Sequence, residues 1–212
     1  MTICLVTDRR RRPPVEQAAD AAAAGVDIIH VRERDLEAAD LAVLVSGIVR
    51  ATRGSATKVV VNDRVDVALA CGADGVHLRG DSMPAVRVRR MTPDGFLIGR
   101  SVHSPAEVGG AAGAVAAGVD YLVAGTVFPT ASKPGQARWL GLEGLAAIAG
   151  AAPVPILAIG GMSADHAPAV ARAGAKGICA IGLFADRDRP IKEVVRLLRE
   201  GFNIGGEIFP RP

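Results

Sequence analysis

Polar residues of this 212-residue chain gather in short clusters, each placed where an apolar run stops. Val59-Val60-Val61 runs into Asn62-Asp63-Arg64, and Gly75 to Leu78 runs into Arg79-Gly80-Asp81-Ser82. Similar clusters are Thr7-Asp8, Arg32-Glu33-Arg34, and Ser101 with His103. Two apolar runs end instead in glycine, at Gly160-Gly161 and at Ile181-Gly182. Residues without side chains let backbone N–H groups approach a phosphate closely. The segment 125–135, GTVFPTASKPG, offers two hydroxyls, Thr130 and Ser132, and the ammonium of Lys133, a set suited to grip an anion from a mobile lid. Among the histidines, His103 falls just past a run, where an imidazole can exchange protons near neutral pH. His30 shares the parity of Arg32 and should point inward beneath it. His77 reads as a satisfied core histidine, and His30, His77 and His103 have no metal-ligand spacing.

These clusters need a scaffold that brings run ends together. Short β-branched runs at 3–8, 27–33, 58–63, 75–78, 96–101, 120–125, 155–160 and 177–182 alternate with helix-period stretches. The latter lie at 14–24, 36–52, 64–71, 83–91, 104–117, 140–151, 163–173 and 188–200. Strands apolar on both faces and joined through helices imply a parallel sheet. Recurring signals (24-AGVD, 72-GADG, 117-AGVD, 173-AGAKG) mark helix ends, with glycine supplying the left-handed turn. Eight β/α units predict one α/β domain over 1–212, a (β/α)8 TIM barrel, whose chemistry sits at the C-terminal ends of the strands. A doubly wound open sheet is the alternative, weakened because no Gly-x-Gly-x-x-Gly follows the first strand. The tail 201–212 reads as a capping segment or an oligomer arm.

Composition narrows the function classes. No apolar run approaches the ~18 residues needed to cross a bilayer, and the charges of the N-terminus follow its apolar stretch, the wrong order for a secretory signal. Three scattered cysteines fit reduced thiols in the cytoplasm. Arg9 to Arg12 form a dense basic run, read either as a solvated loop or as an anion-attracting rim. Aromatics are 3% of the chain, too few for base stacking, so nucleic acid is not expected as a partner.

Taken together, the segments VNDRVDVALACGADGVHL, IGRSVHSPAEV, DYLVAGTVFPTASKPG, GLEGL and PILAIGGMS resemble the thiamine phosphate synthase/TenI superfamily over nearly the whole chain. Synthases of that family join a pyrimidine diphosphate to a thiazole phosphate with Mg²⁺. The resemblance implies a diphosphate site at a Gln-x-Arg-Glu-Lys run, at the Asn-Asp after strand 3 and at an Asp after strand 4. Here the first run reads His30-Val31-Arg32-Glu33-Arg34, Asn62 and Asp63 are kept, and the strand-4 carboxylate falls on Ser82. Arg79 stands next door, and a guanidinium repels a metal ion. Asp81, one residue early, is the only nearby substitute. The thiazole-phosphate half matches at Thr130, Lys133, Gly160, Gly161 and the strand-8 turn, although a family Ser is Gly182.

Loss on the diphosphate side with retention on the thiazole side resembles the TenI branch, which includes thiazole tautomerases. Its implied reaction aromatises a carboxythiazole phosphate by a 1,3-proton shift, with anion anchors and neither metal nor cofactor. GRSVHS resembles the segment that holds the catalytic histidine there, so His103 is the expected proton shuttle and His30 the next candidate. Arg32, Arg34, Asn62, Ser101, Thr130, Ser132, Lys133, Gly160, Gly161, Ile181 and Gly182 are the expected substrate and phosphate contacts. The alternative is a thiamine phosphate synthase using Mg²⁺ at Asp63. A non-catalytic thiazole-phosphate binder or regulator is the third reading. Homodimers are common in the family.

Overall fold

A computed structural model describes residues 1–108, 118–130, 139–186 and 188–206. Eight parallel strands close into a barrel in the order β1 to β8. They are β1 (Thr2–Val6), β2 (Ile28–Val31), β3 (Lys58–Asn62), β4 (Gly75–Leu78), β5 (Leu97–Val102), β6 (Tyr121–Gly125), β7 (Ile156–Ile159) and β8 (Gly177–Ala180). The outer layer contains α1 (Pro14–Ala23), α2 (Ala38–Ala51), α3 (Val65–Ala70), α4 (Ala85–Met91), α5 (Gly141–Ala151) and α6 (Ala167–Arg172). A one-turn α7 (Gly182–Ala185) and the long α8 (Ile191–Gly206) follow β8. The predicted helix at 104–117 begins as a 3-10 turn, Pro105–Glu107, and residues 109–117 lie outside the described residues.

The eight-unit barrel is therefore the observed fold, and the open sheet is not. One boundary needs correction. The expected tail at 201–212 starts inside α8, because Ile191, Val194, Val195 and Leu198 bury one face and the same helix continues to Gly206. Residues 207–212 lie outside the described residues.

Recurring glycine–aspartate signals prove to be structural units at the barrel's N-terminal end. Gly25, Gly72, Gly118 and Gly174 take φ values of +67° to +91°, the left-handed turn that at Gly25, Gly72 and Gly174 follows the end of a helix. Two residues past the first three of these glycines, an aspartate accepts a backbone N–H from the preceding strand. Asp27 takes the N–H of Ile3 at 2.7 Å, Asp74 that of Val59 at 2.8 Å and Asp120 that of Ile98 at 2.7 Å. Each thus satisfies a donor at a strand start that no neighbouring strand reaches.

Alternation along the strands sorts side chains into two cores. Ile3, Leu5, Ile29, Val59, Val61, Val76 and Ile98 pack outward against the helices. Cys4, Val6, Ile28, Val60, Tyr121, Val123, Leu157 and Cys179 fill the barrel. Tyr121 is the large residue of that interior, and its room comes from Gly99, where a Cβ would lie 2.2 Å from the tyrosine Cζ. Gly99→Ala is expected to destabilise the fold by about 1–3 kcal/mol, the range for overpacking a close-packed core. Urea unfolding checks this, and the penalty should shrink in a Tyr121→Leu background, whose side chain is too short to reach the new methyl.

Candidate functional site

The inward parity that fills the barrel places a different set of residues one step higher, at the C-terminal mouth. There a cavity of about 900 Å³ opens, lined by residues from all eight strands or the loops that follow them. Of the predicted site residues, His30, Arg32, Arg34, Asn62, Ser101, His103, Thr130, Gly160, Gly161, Ile181 and Gly182 all line it. Ser132 and Lys133 lie outside the described residues.

The floor is polar but uncharged. His30 and His77 stand with ring centroids 4.6 Å apart, both buried. Burial, with Arg32 and Arg100 nearby, pushes His77 down to about 3. Burial also holds His30 well below the ordinary imidazole range, helped by His77 and Arg32, while Asn62 works the other way. His77 Nε2 pairs with Ser101 Oγ at 2.9 Å, whereas His77 Nδ1 and His30 Nε2 have no partner among the described residues. His77 is thus no satisfied core histidine. It belongs to the floor, and its last-turn position on a short strand hid that in the sequence. His30 points inward beneath Arg32 as its parity required.

One side of the mouth is basic. Arg32, Arg34 and Arg79 line it there, Arg10 and Arg11 carry the charge round to the turn after β8, and Asp8 and Asp81 are the acidic lining residues among those described. Arg32 and Arg34 make no ion pair among the described residues. Burial lowers the Arg32 pKa, followed by the like charge of Arg34. The Arg32 backbone is set by a relay in which its N–H donates to Thr7 Oγ1 at 3.0 Å and Thr7 donates to Glu33 at 2.7 Å. Glu33 is buried behind the site, and burial raises its pKa against the lowering by Thr7 and the Arg9 N–H.

The arginine run divides in two. Arg9 pairs with Asp35 at 2.9 Å and Arg12 with Asp20 at 2.5 Å, both away from the cavity. Arg10 and Arg11 line the rim, Arg10 also paired with Asp35 at 2.9 Å and Arg11 3.3 Å from Asp8. Arg100, which no motif singled out, clamps the loop after β4 by donating to Gly80 and Met83 carbonyls at 2.8 and 3.2 Å. A charge inside an apolar strand was its one signal.

The opposite side is bare. Gly160 and Gly161 follow β7 with φ of +103° and +63°. A Cβ at Gly160 would lie 2.1 Å from Thr126 Cγ2, and one at Gly161 would lie 2.4 Å from the Pro129 carbonyl. These two glycines are therefore required by the loop after β6, which packs on them, and not only by a ligand. Gly182 differs, because a Cβ there would meet nothing nearer than Arg11 Nη1 at 3.6 Å. Its missing side chain leaves real room beside a guanidinium.

His103 sits at the mouth, exposed, with Nδ1 2.6 Å from the Gly125 carbonyl. That contact requires the proton on Nδ1 and leaves Nε2 as the basic nitrogen. Its backbone N–H donates to Glu107 at 3.1 Å.

A divalent cation does not fit the residues present. Ser82 donates its hydroxyl to Asp63 Oδ1 and accepts the Arg79 N–H at 2.7 Å. The Arg79 guanidinium lies 3.8 Å from Asp63 and 2.5 Å from Asp81. Asp63 does not line the cavity. No group of three or more His, Cys, Asp or Glu among the described residues could hold a metal ion.

Fold and site define a (β/α)8 barrel with a guanidinium-lined cavity at the C-terminal ends of the strands. The chain belongs to the family described as Thiamine monophosphate synthase, TMP-TENI, whose model matches residues 3–184. The thiamine-phosphate synthase of Methanoculleus marisnigri is 41% identical over 180 residues, 84% of each chain. That of Methanoregula boonei is 41% identical over 198 residues, 93% of this chain and 90% of the relative. The thiamine phosphate pyrophosphorylase structure from Pyrococcus furiosus matches with a TM-score of 0.82 at 34% identity, over 95% of both chains. A 3-hexulose-6-phosphate synthase shares the fold, with a TM-score of 0.70 at 22% identity. No helix among the described residues is long and apolar enough to cross a membrane.

Two measurements test the site. Gly182→Asp should weaken binding of inorganic phosphate at least about tenfold, since juxtaposed like charges cost several kcal/mol, while the melting temperature stays near that of the parent. Unchanged affinity by calorimetry would place the anion elsewhere. The floor histidines predict an acid response. Their folded pKa values lie below the unfolded 6.5, so the unfolded chain takes up protons first on acidification. Stability is then lost as pH falls below about 6.5, for His77 by up to about 1.4 kcal/mol per pH unit until about 3, with His30 adding in the same direction. A His77→Gln variant should show a shallower fall in urea midpoint over that window.

Proposed function

We propose that this protein acts in thiamine biosynthesis as a thiamine-phosphate synthase, joining a pyrimidine methylene diphosphate to a thiazole phosphate and releasing pyrophosphate. The observation that carries this reading is a single cavity with two anion-receptive ends. Guanidinium groups line one end and the Gly182 opening beside Arg11 forms the other. A substrate with one phosphate needs one such end, and a condensation of two phosphorylated rings needs both. The names of the relatives, which cover most of both chains, support the synthase over the tautomerase.

In this reaction the thiazole nitrogen lone pair forms a bond to the pyrimidine methylene carbon. The carbon–oxygen bond to the diphosphate breaks, and its electron pair leaves with pyrophosphate. Arg32 and Arg34 neutralise the charge that grows on the leaving oxygens, as fixed donors aimed at developing charge do. Neither forms an ion pair with a carboxylate among the described residues, which keeps them available for that. His30, His77 and Ser101 offer the rings neutral hydrogen-bonding groups. Thr130 sits on the glycine side, where the thiazole phosphate would rest.

The tautomerase reading keeps one observation of its own. Gly125 orients His103 so that its basic Nε2 is free at the mouth, as a shuttle of one proton would need. Incubation with both substrate sets decides between them. Thiamine phosphate and pyrophosphate are expected at a rate of about 1 s⁻¹ or more, typical of enzymes. Formation of only the aromatised carboxythiazole phosphate, with turnover lowered about 10²- to 10⁴-fold in His103→Asn, would establish the tautomerase instead. Neither product, with retained binding of a thiazole phosphate, would leave a ligand-binding protein.

A further inference from the structure

Where the family pattern implies a cation between two carboxylates, this chain has Asp63, Ser82 and Arg79. Ser82 donates its hydroxyl to Asp63 Oδ1, and its own oxygen accepts the Arg79 N–H. Asp63 is bent back toward this hydroxyl by a φ of +63°, a conformation Asp tolerates better than most residues. The pair offers a cation one carboxylate where the family pattern has two, with one of its oxygens already engaged and a guanidinium 3.8 Å from the other.

The exchange preserves charge. A divalent cation with two carboxylates carries no net charge, and neither does one guanidinium with one carboxylate. The guanidinium adds a planar fork of donors that matches phosphate oxygens. Its present contacts are weak. Asp63 is 3.8 Å away, and the closer partner Asp81 has a side chain 70% exposed, where an ion pair contributes little. The backbone beneath it is fixed by Ser82 at one end and by the Arg100 clamp on Gly80 and Met83 at the other. The Arg79 side chain can therefore change partners without the loop moving.

We propose that the basic end of the cavity binds a diphosphate without a divalent cation, with Arg79 standing in for the metal. In the free protein its guanidinium rests between Asp63 and Asp81. On binding it transfers to the diphosphate, joining Arg32 and Arg34. This rests on the synthase reading for the identity of the diphosphate, but its central claim is a binding property that can be measured alone.

The test is calorimetric titration of the intact protein with inorganic pyrophosphate in chelator, repeated with Mg²⁺, and titration with Mn²⁺ alone. Pyrophosphate should bind in chelator, with Mg²⁺ changing the affinity less than about twofold, and Mn²⁺ should not bind. Arg79→Met should lose at least about tenfold, the share of a charged hydrogen bond, and Arg79→Lys should recover only part of it. Because the Arg79 side chain is 41% exposed, these variants should fold, which melting curves verify. The double variant Arg79→Gly, Ser82→Asp should gain Mn²⁺ binding and make pyrophosphate binding depend on it. Pyrophosphate binding that requires Mg²⁺ in the parent, or an Arg79→Met affinity equal to the parent's, would overturn the proposal. Product formed only with Mg²⁺ would overturn it while leaving the synthase. Arg79-dependent binding in chelator without product would do the reverse.

Discussion

Eight parallel strands close into a barrel only if the alternation of side chains survives a full circuit, and here it does. Cys4 stands beside Cys179 on one side and Ile28 on the other, so the inward set of β1 meets the inward sets of both neighbours. The same matching runs through His30 and Val60, Asn62 and His77, and Gly99 and Tyr121. A shift of one residue in any strand would turn its inward set toward the helices. Because the alternation holds, residues one step above the apolar filling must all face the mouth. Arg32, Arg79, His103 and Gly161 come from four strands far apart in sequence and meet there for that reason.

Charge at that mouth is deliberately unbalanced in the sense that matters for a ligand. Several cations elsewhere have partners, as Lys58 has Asp74, Arg89 has Asp120 and Arg196 has Glu200. At the cavity, Arg32 and Arg34 have none among the described residues, and partial burial of Arg32 makes that imbalance costly in the free protein. An anion would relieve it. The neutral histidines below are the complement, since a charged imidazole under this cluster would add repulsion. Burial and the neighbouring guanidiniums hold both in the neutral form.

Compared with the family pattern, the two ends of the cavity have changed by different amounts. The glycine side keeps its form because the loop after β6 packs directly on Gly160 and Gly161, so backbone contact constrains them. The strand-4 end is a solvent-facing loop, and its side chains answer only to one another and to the ligand. Ser82 and Arg79 could therefore enter together, the hydroxyl satisfying Asp63 and the guanidinium restoring the positive charge.

The barrel, its eight strands and the location of the site were legible in the sequence. Apolar runs of strand length, glycine turns and polar run ends are local features, and closure follows from their number and their one-handed winding. His103 at the mouth and His30 beneath Arg32 followed from parity in the same way. Other facts depended on which neighbours tertiary packing supplies. The sequence could not say that His77 has a partner on Nε2 and none among the described residues on Nδ1, because Ser101 and the cavity come from other parts of the fold. It could not assign partners to the arginine run, because Asp35, which pairs with Arg9 and Arg10, reaches them only once β1 and β2 are paired. Nor could it tell that Gly160 answers to Thr126 while Gly182 answers to open space. Residue type and period fix which way a side chain points, whereas burial, pairing and vacancy belong to what the fold brings against it.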